Sequence, residues 1–200
     1  MISACNFKRI YNSDYYCKKL QFDCNRKNLI VSFQTSKGNF EVQLNAENYP
    51  VTSSNFIENI NKKLYKNKKF YKIVNYPQAK IIHAGVYTKD YFLEKNKNLN
   101  KNSPTIPLEI KMVNEVDPKY NYEIEDPSEF KNIKSFFEKG SIAMVKTGAK
   151  NSSSTEFFFV TNKIPELDGR YSIFGKIVKG LDVLGKIDNK DFIYDIKITN

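Results

Sequence analysis

What most limits the fold of this chain is its supply of short β-rich runs, with few stretches periodic enough for a helix. The runs "LIVSFQT" (29–35), "FEVQLN" (40–45), "KFYKIV" (69–74), "AKIIHAG" (79–85) and those over 141–146, 156–161, 172–178 and 192–199 are rich in β-branched and aromatic residues and are bounded by turn residues. The first two flank "SKGN", a Gly-containing turn that predicts an antiparallel hairpin. Two stretches read as helices. Pro50 suits the start of the first, and Phe56, Ile57, Ile60 and Leu64 follow at helical spacing; the second is a short one over 181–187. Many short strands with two helices predict a mainly β chain whose sheet closes into a barrel, because closure removes exposed strand edges.

Two regions stand outside this pattern. Residues 1–28 are polar, rich in Tyr and Cys and without clear periodicity, so they read as an extension ahead of a domain over 29–200. From about 86 to 138, Pro104, Pro107, Pro118 and Pro127 break up any long element, which predicts a long loop insertion with at most one strand, at "PLEIKMV" (107–113).

The 200 residues suffice for one domain with a core of its own. Lys and Arg number 32 against 22 Asp and Glu, a net charge of +10. Much of the excess is Lys interleaved with Asn, as in "NKKLYKNKK" (61–69), and no nucleic-acid module surrounds it, so no nucleic acid is expected as a partner. No run approaches the ~18–20 apolar residues of a membrane-spanning helix, so a soluble chain is expected. Cys5, Cys17 and Cys24 have no zinc-ligand spacing and one histidine to help them, so no metal site is expected. Cys17 and Cys24 either pair in an oxidising compartment or remain thiols in a reducing one. "ISAC" (2–5) resembles the cleavage and lipidation box of bacterial lipoproteins. The chain as given reads as cytoplasmic, and as an exported lipoprotein anchored at Cys5 if a signal peptide precedes Met1.

Four stretches in order carry a family resemblance: "SKGNFEVQLNAENYPVTSSNFIENI", "KFYKIV", "GSIAMVKTGAKNSSSTEFFFVT" and "LDGRYSIFGKIVKGLDVLGKI". Together they resemble the cyclophilins, a family of peptidyl-prolyl cis-trans isomerases, over roughly residues 29–199. The resemblance implies an eight-stranded antiparallel barrel capped by two helices, proline-containing polypeptides as partners, no cofactor, and a monomer.

It also implies a site. Rotation of a peptide bond must cross a barrier of ~18–20 kcal/mol set by amide resonance. The catalyst needs no covalent step, only an apolar pocket for the prolyl ring and a donor that favours the twisted amide. In the family that donor is an arginine two residues beyond the Phe of a Phe-His-Arg strand; here Phe70, Tyr71 and Lys72 stand in those places, so Lys72 is the expected catalytic cation. Phe158 corresponds to the pocket floor, while strand alternation assigns Phe157 and Phe159 to the core. Lys80, Ile81 and His83 fall at a pocket Phe, a pocket Met or Val, and the Gln that orients the arginine. On the rim, Val145, Lys146 and Glu156 replace Ala, Arg and Gln, Glu166 stands where some members have Trp, Leu167 is kept, and Tyr171 replaces His or Tyr. His83 is not needed as a base, since isomerisation transfers no obligatory proton. A lysine in place of the guanidinium fork implies low activity; the alternative is a weak or inactive module that binds proline-containing segments as a chaperone or assembly factor.

Overall fold

The computed structural model describes residues 12–24, 26–86, 105–147 and 150–199. Its strands are β1 (Ile30–Thr35), β2 (Gly38–Leu44), β3 (Lys68–Lys69), β4 (Lys72–Asn75), β5 (Lys80–Gly85), β6 (Thr105–Pro107), β7 (Glu109–Ile110), β8 (Lys119–Tyr120), β9 (Ser141–Lys146), β10 (Asn151–Val160), β11 (Ile173–Lys179) and β12 (Phe192–Thr199). β1 and β2 form the expected hairpin, with Thr35 opposite Gly38. The main sheet runs β3-β12-β1-β2-β11-β9-β10-β5-β4, antiparallel at every step. Its two ends, β3 and β4, are one stretch of chain broken only at Phe70 and Tyr71. Lys69 pairs with Phe192 and Lys72 with His83, so this stretch joins the last strand to β5 and closes the barrel. With β3 and β4 counted as one strand, the nine places on the path become the eight strands expected.

Alternation along the strands sorts side chains to two sides. Phe33, Phe40, Val42, Ile82, Ala84, Ile142, Met144, Phe157, Phe159 and Phe174 fill the barrel interior, where the Phe33 and Phe40 rings stack 4.7 Å apart. A helix, α2 (Pro50–Asn61), closes one opening of the barrel, with Phe56 and Ile60 buried in the same cluster and Pro50 in its first turn. A short helix, Leu181–Leu184, packs against β2.

The insertion carries more structure than its prolines predict. β6 extends the sheet beside β10, and β10 itself begins at Asn151, five residues ahead of the predicted 156, because Ser152 and Ser153 have Ile106 and Thr105 to pair with. β7 and β8 form a separate hairpin over a small cluster of Leu108, Ile110, Met112, Ile124 and Ile133. Strands of two or three residues have no periodicity to read, which is why this region looks like loop in the sequence.

The segment ahead of β1 is helical too. α1 (Ser13–Leu20) is capped by Asn12, whose side chain accepts the Tyr15 N–H. It docks on the insertion: Ser13 Oγ donates to Asp117 at 2.6 Å, Arg26 pairs with the same carboxylate at 2.8 Å, and the Tyr16 and Tyr120 rings meet at 4.5 Å. Cys17 and Cys24 form a disulfide across seven residues. Replacing both (Cys17→Ser, Cys24→Ser) is expected to lower the unfolding free energy by about 2 kcal/mol, because the open chain regains loop entropy when unfolded; a denaturant titration of the double variant checks this. The lipidation box at Ile2–Cys5 lies outside the described residues, as does the part of the insertion from 87 to 104.

One carboxylate ties the insertion to the barrel. Glu109 of β7 is fully buried and accepts the N–H groups of Val51 and Thr52, at 3.1 and 2.7 Å, in the first turn of α2. Tyr49 at the N-cap makes no side-chain cap, so Glu109 fills that role from 57 residues away in the chain.

Candidate active site

The outer face of the barrel carries a row of residues fixed by strand pairing. Lys72 lies opposite His83, His83 opposite Phe158, Phe158 opposite Ala143, and Ala143 opposite Ile173. Directly opposed residues in antiparallel strands share a face, so these five point the same way, across β4, β5, β10, β9 and β11. Around the row lies an apolar cluster separate from the interior one: Ile81, Phe137, Val160 and Ile164 are buried in it, with Val145, Leu167 and Tyr171 at its margin.

The rings form a continuous contact. Tyr71 lies 6.0 Å from His83, His83 lies 5.6 Å from Phe158 with 33° between their planes, and Phe137 stacks on Phe158 at 5.6 Å and 20°. Tyr171 meets Phe158 edge-on at 5.2 Å. Phe158 is accordingly only 2% exposed, while Lys72, two strands away, is open to solvent.

Polar contacts hold this arrangement. Tyr71 donates its hydroxyl to Glu156 Oε1 at 3.0 Å, and Glu156 is buried. Lys146 donates to Glu123 of the insertion at 2.6 Å and lies 5.9 Å over the Tyr171 ring. Asp168 accepts the Phe137 N–H at 2.6 Å, which fixes Phe137 against Phe158. Gly169 has φ of 68°, and a Cβ there would come within 2.7 Å of Ile124, so the "LDG" turn fits only glycine against the insertion. Burial, and after it the Lys72 ammonium, push the His83 imidazole down to about 4, so it is neutral at physiological pH and presents one N–H and one acceptor.

Most of the residues expected in the site are brought together: Lys72, Tyr71, Ile81, His83, Val145, Lys146, Glu156, Phe158, Leu167 and Tyr171 belong to the row, its cluster or its polar fringe. Three are placed elsewhere. Phe70 is fully buried in the barrel interior, because the strand is interrupted between Lys69 and Lys72 and the usual equivalence of positions two apart fails there. Lys80 falls on the alternate parity of β5, with Ile82 and Ala84 and not with Ile81 and His83, and is solvent-exposed. Glu166 is exposed on the single turn Pro165–Leu167. Phe137, Asp168 and Glu123 were not expected. The pair Phe136-Phe137 shortly before Gly140 was the one available signal, and which of the two turns inward depends on Asp168, 31 residues further on.

A model of the family described as cyclophilin type peptidyl-prolyl cis-trans isomerase/CLD matches residues 30–200. The chain belongs to this isomerase family. Among curated cyclophilins, it is 27% identical over 188 residues to a thylakoid lumen peptidyl-prolyl cis-trans isomerase of Synechocystis, covering 84% of this chain and 46% of that protein. It is 28% identical over 162 residues to peptidyl-prolyl cis-trans isomerase A of Dickeya dadantii, covering 78% of this chain and 70% of that one. The chain thus spans about half the length of the first of these relatives. Of solved cyclophilins, the crystal structure of a cyclophilin type isomerase of Cryptosporidium parvum superposes with a TM-score of 0.61 at 21% identity, over 87% of this chain and 99% of that one. The same C. parvum protein in the presence of the dipeptide Ala-Pro gives 0.59 at 20% identity, with the same coverage of both chains. These two establish the mainly β cyclophilin fold.

Proposed function

We propose that this cyclophilin binds proline-containing segments across the outer row and isomerises X-Pro bonds slowly. The observation that carries the reading is the row itself: an exposed cation, Lys72, stands beside neutral His83 and the aromatic cluster around Phe158, on one face of the barrel. Ile81, Leu167 and Tyr171 supply apolar surface for a prolyl ring, and Lys72 supplies positive charge toward the amide. The relative solved with Ala-Pro supports the substrate class. A lysine ammonium is a flexible, strongly hydrated point charge, so it stabilises a twisted amide less than a fixed guanidinium fork does, and the rate is low.

The test is cis–trans exchange NMR on a short Ala-Pro peptide, where the uncatalysed interconversion takes about 10–100 s. A rate above that background is expected, and Lys72→Ala should lower it while leaving peptide affinity largely intact. A wild-type rate equal to background refutes the isomerase. Coverage of Phe158 by His83 and Phe137 favours a second reading, a shallow notch that binds with little turnover; chemical-shift changes on peptide addition without exchange enhancement would select it. For location, we propose an exported, oxidising compartment, supported by the Cys17–Cys24 disulfide and by the lumenal relative. Among the described residues no helix is long and apolar enough to cross a membrane.

A further inference from the structure

The residues from 62 to 80 hold seven lysines and no Asp or Glu. Two of the seven are matched, Lys62 by Glu58 and Lys63 by Asp195. Lys66, Lys69, Lys72 and Lys80 are exposed and have no ion pair among the described residues. Lys69 is the cross-strand partner of Phe192 and holds its ammonium 5.3 Å over that ring, which places it on the outer face, as Lys72 is. Only Phe70 and Tyr71 lie between the two in the chain, so their backbones are at most about 11 Å apart. At the far end of β4, Asn75 pairs with Lys80. Lys69 and Lys72 therefore stand at the start of the strand that borders the aromatic row, on its outer face, while Lys80 lies on the alternate parity of β5. Glu156, a carboxylate of the site's polar fringe, is buried and accepts the Tyr71 hydroxyl.

We infer that the site selects proline-containing segments bearing Asp or Glu within a few residues of the proline. This rests on the function proposed above and narrows its substrate class. An extended peptide laid along β3 and β4 passes both Lys69 and Lys72, and carboxylates two residues apart, about 7 Å along an extended chain, present their charges toward that one face. Unscreened cations at the mouth of an apolar site raise both encounter rate and affinity for an anionic partner. Cations strung along one strand beside an aromatic row suit an extended polypeptide better than a flat anionic surface.

Fluorescence anisotropy with peptides sharing one Ala-Pro centre and flanked by Glu, Gln or Lys tests the inference. The Glu peptide should bind about tenfold more tightly than the Gln peptide at low ionic strength, and the difference should shrink at about 0.5 M salt. It should also shrink in Lys69→Gln, which changes one exposed side chain and should hold the Gln peptide as the wild type does. Equal affinity for Glu and Gln peptides overturns the inference and leaves the function standing. So does a Glu-flanked peptide with Ala in place of Pro that binds equally well, or a DNA duplex or phosphatidylserine vesicle that displaces the Glu peptide more effectively than unlabelled peptide. If no peptide of any charge binds, the proposed function fails and takes the inference with it.

Discussion

Glu109→Ala is expected to lower the unfolding free energy by about 3 kcal/mol, since it leaves the buried Val51 and Thr52 N–H groups without an acceptor and removes the cap of α2. Urea titration measures it, and a loss below about 1 kcal/mol would mean that water replaces the carboxylate. The same residue predicts a pH dependence. Burial pushes the Glu109 carboxyl up to about 7, above the ordinary 4.5. The folded state thus holds the proton more tightly than the unfolded state. The associated stability is fully present below about 4.5 and is lost as pH rises through about 7, a change of order 3 kcal/mol. The geometry agrees with a protonated group: the Tyr120 hydroxyl lies 3.0 Å from Glu109 Oε1 and 2.8 Å from Ser13 Oγ, and one hydroxyl proton cannot serve both. A proton on Glu109 fills the first contact and frees that of Tyr120 for the second. Glu109→Gln should therefore flatten the stability profile between about pH 5 and about pH 8.

Lys72→Arg is expected to raise kcat/KM for an Ala-Pro peptide by about 10–100-fold, because removing a preorganised donor from such a site costs up to about 10²–10³ and the substitution restores most of it. Lys72 is opposite His83 in the ladder, so an arginine there extends over a neutral imidazole that offers an acceptor without competing charge. Peptide affinity should change little, since the apolar contacts around Phe158 are untouched. An unchanged rate would locate the limitation in the covered pocket instead. Phe137→Ala would then be the productive change, despite an expected loss of ~3–5 kcal/mol in stability for truncating a buried phenylalanine.

The barrel was legible from the sequence because its strands are long enough to show alternation: in "EFFF" period two sets Phe158 on the face opposite Phe157 and Phe159, and the family resemblance says which face is the core. Lys72 and His83 were legible from the resemblance, and the ladder puts them opposite one another. What could not be read depends on contacts between distant segments. Phe70 and Lys72 separate to opposite faces because the partner strand changes between them, and that change is a property of closure. Lys80 follows a longer link between β4 and β5, and strand parity sets it with Ile82 and Ala84. Phe137 reaches Phe158 through a hydrogen bond from its backbone to Asp168, and Glu109 caps a helix that precedes it by more than fifty residues. Such pairings leave no periodic trace in a single chain.

The seam of the barrel sets an order of events. β12 follows all the other strands described, and its partners, β1 and β3, both lie far ahead of it in the sequence, with Ile30 opposite Thr199. Neither of those strands can complete its hydrogen bonding until β12 has been made, so the barrel stays open along that edge until then, although β4 already has β5 to pair with. Until β12 docks, β1 and β3 carry open hydrogen-bonding edges, and a chain held at that stage should be an open, aggregation-prone sheet.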